Sequence, residues 1–223
     1  DYKRAVLVFD GAMSQPVVCV NGKEAGKWAY GYNAFRIDIT PFIQFGKSNL
    51  IEVHLNNVEE SSRWYPGGGL YRPVSVELYG NENFSTWDTF VRTLKADKQE
   101  AEVEVNALLE GKIGKSGKTV IALLDEAGTK VAEQTIKGAT PEIKTTLKVA
   151  NPQLWSPESP YLYQVKLTRY EGKKVADVQT LKTGIRTISV SKYNGFQLNG
   201  ITRKIKGVCL HHDLGPLGAA ENK

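Results

Sequence analysis

The sequence predicts an all-β protein. Short apolar runs alternating with polar residues recur along the chain, as in Phe35-Arg36-Ile37-Asp38-Ile39-Thr40, a period-two pattern that buries one face of a strand. Clusters of Gly, Asn, Asp and Pro divide these runs. No stretch carries a clear helical pattern, apart from a short candidate after Gly215.

In chain order, Ala5 to Phe9 and Val17 to Val20 read as strands, and Asn21-Gly22 is a strong two-residue hairpin signal. Phe35 to Thr40 follows, stopped by Pro41; Gly46-Lys47-Ser48-Asn49 turns the chain into a strand over Leu50 to Leu55, and Pro73 to Tyr79 is another. A second block, Phe84 to Ile188, has a different rhythm. Val91 to Leu94, Ala101 to Leu109, Thr119 to Leu124, Glu142 to Val149, Tyr161 to Tyr170 and Val175 to Thr183 suggest a sandwich of about a hundred residues with an immunoglobulin-like strand count, without its cysteine pair. Leu154-Trp155-Ser156-Pro157 reads as the connection into a late strand, with Trp155 as a buried anchor. From Ser189 the pattern changes again: Phe196 to Gly200 leads through Ile201 to Ile205 into a strand, Gly207-Val208-Cys209-Leu210, that ends in His211-His212-Asp213. A chain that opens new structure so near Lys223 reads as a piece of something larger.

Composition narrows the function. The 223 residues are 41% hydrophobic and 24% charged, which suits a globular protein able to bury a core. No apolar run approaches the ~20 residues of a membrane span, and Asp1-Tyr2-Lys3-Arg4 does not begin a signal peptide, which leaves export of a larger parent open. The net charge of +5 is scattered, with 29 basic residues among 24 acids and no dense basic block, so nucleic acid is not the expected partner. Cys19 and Cys209 lie in apolar runs far apart in sequence and read as buried free thiols.

The most informative stretch is Ser61-Ser62-Arg63-Trp64-Tyr65-Pro66-Gly67-Gly68-Gly69-Leu70-Tyr71-Arg72, a shaped loop between two strands. Glycines permit positive φ and close backbone approach, and Trp and Tyr offer flat apolar faces with a polar handle, which suits a ring-shaped polar ligand such as a sugar. The same residues equally suit a loop plugging the end of a sandwich, with Leu70 and Tyr71 in the core and Arg72 in an ion pair.

Five collinear segments decide between these readings: Phe35 to Thr40, Ser62 to Arg72, Leu154 to Pro157, Thr183-Gly184-Ile185-Arg186, and Phe196 to Asp213. In this order the chain resembles the glycoside hydrolases of family 2, which include β-galactosidases, β-glucuronidases and β-mannosidases, and it is most like a β-galactosidase. The resemblance implies that residues 1–80 are the C-terminal part of a jelly-roll sugar-binding domain and 81–188 an immunoglobulin-like β-sandwich. It further implies that 189–223 form a hairpin and the first strand of a (β/α)8 barrel.

Retaining glycoside hydrolysis uses two carboxyl groups about 5 Å apart. In the family these are glutamates on later barrel strands, beyond Lys223, so the resemblance implies a non-catalytic portion that is inactive alone; Glu221 has no partner and is no substitute. It also implies that His211 and Asp213, two residues apart and on one face of a strand, bind substrate hydroxyls, with His212 facing the barrel wall. Arg63, whose guanidinium has fixed donors for hydroxyls or a carboxylate, is a third substrate-binding candidate. It stands where some members carry an acid, which weakens a strict galactose preference. Trp64 and Tyr65 suit core and ligand platform alike. Arg72 and Arg186 read as strand-anchoring ion pairs. No cofactor is expected, and no metal, because His211 and Asp213 fall short of a zinc ligand set.

Two look-alike motifs carry nothing. Gly111 to Thr119 resembles a phosphate loop but fails in both registers, and reads as a flexible hairpin tip. Asn83-Phe84-Ser85 is a glycosylation sequon in form only. The rival to a hydrolase portion is a stand-alone carbohydrate-binding or adhesion module, for which the Phe196 to Asp213 tail has no use; a structural spacer is a third reading. Open sheet edges predict self-association.

Overall fold

The structure, a computed structural model, describes residues 2–58 and 68–209. Every regular element among them is a strand. They fall into two compact units, one of residues 2–79 with 208–209 and the other Gly80–Gly207.

The first unit holds β1 (Arg4–Phe9), β2 (Val17–Val20), β3 (Lys23–Lys27), β4 (Phe35–Asp38), β5 (Ile51–His54) and β6 (Val74–Tyr79). These form two antiparallel three-stranded sheets, ordered β4-β1-β6 and β3-β2-β5. Alternation decides which side chains meet: Ala5, Leu7 and Phe9 of β1, Phe35 and Ile37 of β4, and Val18 and Val20 of β2 build the core. The turn between β2 and β3 is Asn21-Gly22, with φ of 51° and 77°, the conformation in which both central residues need positive φ. The register of β6 is telling. Val74, Val76 and Leu78 pair with Phe9, Leu7 and Ala5, so they point to the core side of their sheet. They nevertheless stand 41%, 48% and 43% exposed.

The second unit is a sandwich of β7 (Glu82–Phe84), β8 (Phe90–Ala96), β9 (Glu100–Gly111), β10 (Lys118–Leu124), β11 (Lys130–Lys137), β12 (Glu142–Ala150), β13 (Tyr163–Glu171) and β14 (Lys174–Thr183). One sheet runs β11-β10-β13-β14; in the other, long β9 pairs with β12 on one side and with β7 and β8 on the other. Val103, Val105, Ile121, Leu123, Leu147, Val165 and Leu167 close the core between them, each such side chain contributing about 1.5–3 kcal/mol on burial. A buried ion pair sits at one end of this sandwich. Arg169 Nε donates to Glu82 at 2.5 Å, and both residues are essentially inaccessible. The rest of the guanidinium is occupied by Thr119 Oγ1, Gly138 O and Gly114 O, and Glu82 also accepts the Gly114 N–H at 2.9 Å. The segment after Gly111 is therefore tied down instead of forming the flexible tip the sequence suggests. A Cβ on Gly117 would lie 2.5 Å from Arg169 Cζ, which only glycine avoids.

A three-stranded antiparallel sheet of β15 (Ile188–Ser191), β16 (Gly195–Leu198) and β17 (Ile201–Thr202) follows the sandwich. Asn199 secures it: its Oδ1 accepts the Thr187 N–H at 3.0 Å and its Nδ2 donates to Trp155 O at 3.0 Å. Residues 203–209 carry no strand, and the remainder of the expected barrel strand, like the short helix expected after Gly215, lies outside the described residues. Three smaller expectations are corrected. Cys19 is half-buried and Cys209 exposed, so they are not buried thiols. Trp155 is half-buried, because one face of its indole is covered by Arg186. Asn83 is buried within β7 and donates to Phe84 O, which withdraws it from any glycosylation.

Candidate functional site

All five substrate-binding residues expected from the sequence, Arg63, Trp64, Tyr65, His211 and Asp213, lie outside the described residues. The structure does show what brackets the Arg63-Trp64-Tyr65 segment. On one side Asn56 donates its N–H to Ser14 O at 2.8 Å, and Ser14 Oγ donates back to Asn56 O at 2.6 Å. On the other side Met13 and Gly69 exchange backbone hydrogen bonds of 3.0 Å each. Both flanks are thus pinned to consecutive residues, Met13 and Ser14, which brings together the two ends of a long loop.

Past Gly69 the chain runs along Asp10, whose N–H donates to Pro73 O at 3.0 Å. Tyr71 and Arg72 lie directly over Gly11, where a Cβ would sit 2.8 Å from the phenol ring and 3.0 Å from Arg72 Cδ. Glycine is therefore required at that point. The Tyr71 hydroxyl donates to Gly31 O at 2.7 Å. Burial raises its pKa, the Arg72 charge opposes this, and Tyr32 and Tyr30 add to the rise, so at neutral pH it is a fixed donor and not a base.

Aromatic rings extend from this point. Tyr32 meets Tyr71 edge-on at 6.4 Å and Tyr30 meets Tyr32 at 5.6 Å. Tyr30 is 59% exposed. Trp28 stacks on Phe35 at 5.7 Å with its indole N–H donated to Asn33 Oδ1 at 2.9 Å, and Phe35 in turn stacks on core Phe9. The rim beside the glycine-rich segment is therefore a row of rings whose orientation is set by hydrogen bonds and by the core. Sequence reading passed over Trp28, Tyr30 and Tyr32; the available signal was the cluster Trp28-Ala29-Tyr30-Gly31-Tyr32-Asn33, aromatics interleaved with small residues after a hairpin.

Two expectations about arginines are corrected here. Among the described residues neither Arg72 nor Arg186 anchors a strand through an ion pair. Arg72 lies over the Tyr71 ring at 5.2 Å, and Arg186 over Trp155 at 5.3 Å with its Nη1 donated to Gly184 O. Leu70 is 49% exposed and does not plug the core. Among the described residues no group of His, Cys, Asp or Glu could hold a metal ion, and no helix is long and apolar enough to cross a membrane.

Comparison with known proteins identifies the setting. Residues 84–186 match the sequence model of glycosyl hydrolases family 2. The likeness to family 2 extends beyond this segment, along nearly the whole chain, in a solved member. It is 37% identical to β-galactosidase BoGH2A of Bacteroides ovatus across 97% of its own length, and 29% identical to a β-glucuronidase of Bacteroides fragilis across 98%. A crystal structure of a family 2 member from Bacteroides cellulosilyticus superposes with a TM-score of 0.92 at 38% identity over 99% of the chain. The chain spans only 26% and 34% of the two curated relatives and 29% of the crystallised chain. The family membership, the all-β architecture and the immunoglobulin-like sandwich read from the sequence all agree with these findings.

Proposed function

We propose that this chain is the non-catalytic portion of a retaining, β-galactosidase-like glycosidase that hydrolyses terminal β-glycosides in carbohydrate metabolism. The observation that carries the reading is similarity along 97–98% of the chain to enzymes named for β-glycoside cleavage. In this proposal residues 1–80 belong to a jelly-roll sugar-binding domain, 81–188 to the sandwich, and 189–223 lead into the catalytic barrel. Arg63, Trp64, Tyr65, His211 and Asp213 would contact the sugar, and the nucleophile and acid/base carboxylates would come from elsewhere in the parent.

The sandwich is suited to its part because its core is complete in itself, so it can hold neighbouring elements at fixed positions. The test is hydrolysis of aryl β-galactosides, β-glucuronides and β-mannosides by the full-length parent and by this chain. Cleavage of one class by the parent and none by the chain is expected. A parent inactive on all three would overturn the proposal, and activity of the chain alone would overturn its non-catalytic assignment. The aromatic rim favours, as a second reading, glycan binding without chemistry; binding by an inactive parent would select it.

A further inference from the structure

The segment Thr183-Gly184-Ile185-Arg186, conspicuous in the sequence, has no role in the site described above. It leaves β14 and is tied to β8, because the Arg186 N–H donates to Thr93 Oγ1 at 3.3 Å. Strand β8 is paired, among the described residues, only with β9. Beside its open edge lies a cavity of about 250 Å³, with Arg92, Thr93, Thr183 and Arg186 as its polar lining and Val91 and Ile188 as apolar walls. No acidic side chain is among the described residues that line it.

Arg186 is held in a definite direction. Its guanidinium lies over the Trp155 ring at 5.3 Å, and its Nη1 donates to Gly184 O at 2.9 Å. A Cβ on Gly184 would be 2.7 Å from the Trp155 side chain, so glycine is what lets the indole close on this segment. The group is thus fixed on one face and at one nitrogen. What remains without an acceptor among the described residues is the edge carrying the Nε and Nη2 donors, whose parallel N–H bonds can meet two oxygens at once. Arg186 is an exposed residue, so this edge is not sealed in the protein.

Arg92 adds a second cation. Its Nε donates to Glu104 at 2.8 Å, but the same carboxylate also faces Lys144 Nζ at 3.6 Å, so one negative charge serves two positive ones. Thr93 Oγ1 accepts from Arg186 and keeps its O–H as a donor, and Thr183 brings a second hydroxyl. Oriented donors and an excess of positive charge in a concave site favour a bound anion. A cavity of about 150 Å³ elsewhere on the sandwich makes the contrast: it is lined by both Glu126 and Lys182 and has no such bias.

We infer that the cavity beside β8 is an oxyanion site, in which the Nε and Nη2 donors of Arg186 hold two oxygens of one phosphate, sulfate or carboxylate group, with Arg92, Thr93 and Thr183 around it. The group comes either free from solution or from an acidic side chain of the parent, and the chemistry of recognition is the same for both.

The test is an NMR titration of the isotope-labelled chain with sodium phosphate, sulfate and acetate, against sodium chloride at matched ionic strength. At least one oxyanion is expected to give saturable shifts confined to the amides of Thr93, Gly184, Arg186 and Ile188 and to the Arg186 Nε–H. Its Kd should be on the order of 1 mM or tighter, and at least about tenfold tighter than for chloride. Arg186→Gln should raise that Kd about tenfold or more, and Arg186→Lys, which keeps the charge but loses the fork, should recover only part of the affinity. Thr183→Val, close in shape, should weaken binding about threefold and keeps the test decisive if Arg186→Gln does not fold. Oxyanion shifts no larger than those from chloride overturn the inference, as does binding unchanged in either variant. In the full-length parent, a rise in melting temperature with phosphate that Arg186→Gln abolishes identifies the free anion as the source. No phosphate effect together with a lower melting temperature in Arg186→Gln identifies an acidic side chain of the parent, and a parent showing neither response overturns the site. The titration of the chain does not depend on the glycosidase reading, so its failure sinks the oxyanion site alone, while a parent that cleaves no β-glycoside sinks the hydrolase reading alone.

Discussion

In the sandwich, inward side chains of β9, β10, β12 and β13 meet across two sheets, and Val105, Ile121, Val165 and Leu167 are sealed to zero exposure. In the first unit the same kind of residue on β6, pointing to the core side of its sheet, stays more than 40% exposed. The sandwich is a scaffold complete in itself. The first unit has an apolar strand face left exposed, together with an aromatic rim. In the proposed function, closure would go with the supporting role and exposed apolar surface with the binding role.

The largest effect expected from this contrast lies in the buried pair. Arg169→Ala would leave the Glu82 carboxylate sealed without its partner, costing about 3–5 kcal/mol, and chemical denaturation should show the sandwich transition shifted accordingly. A small shift would mean that solvent reaches this end of the sandwich and that it is not closed. Next come matched truncations in the two units. Leu167→Ala should cost about 2–5 kcal/mol, whereas Leu78→Ala, at a half-exposed position, should cost under about 1 kcal/mol because little burial is lost. Equal costs would show that β6 is covered and would break the comparison. Val76→Lys sharpens it from another side: a charge on an exposed edge strand should reduce self-association in sedimentation velocity, with little change in stability.

Smaller effects test the local geometry. Tyr71→Phe removes the 2.7 Å bond to Gly31 O and should destabilise the first unit by about 1 kcal/mol, read by urea unfolding. The smallest is the exposed pair of Glu158 and Arg203. The Arg203 guanidinium, then the Glu158 backbone N–H and the Ser156 hydroxyl, bring the carboxyl down from 4.5 to about 2. A carboxyl lowered on folding adds stability that is present above its unfolded value and is lost as pH falls from 4.5 through about 2. An NMR titration of this carboxyl should find that midpoint, and Arg203→Gln should return it toward 4.5.

How legible all this was depended on the chemistry of each element. The central strands announced themselves because both propensity and alternation agree, as in Thr119 to Leu124 and Tyr161 to Tyr170. The Asn21-Gly22 turn is equally local. Strands β3 (Lys-Glu-Ala-Gly-Lys) and β11 (Lys-Val-Ala-Glu-Gln-Thr-Ile-Lys) escaped, since they are edge strands of their sheets, where charge is favoured and the apolar face is thin. The buried ion pair was also hidden, because nothing in the sequence near Glu82 or Arg169 distinguishes a sealed pair from two surface charges. Likewise Arg72 read as an ion-pair former, and only the structure shows it over the Tyr71 ring with Nη1 donated to Tyr32 O.

Native-state hydrogen exchange on the chain tests the division between the two units most directly. The account predicts that amides of β9, β10, β12 and β13 exchange only through global opening of the sandwich, while β6, which among the described residues is paired only with β1, exchanges far faster than the sandwich strands. Protection of β6 equal to that of β9 would contradict it.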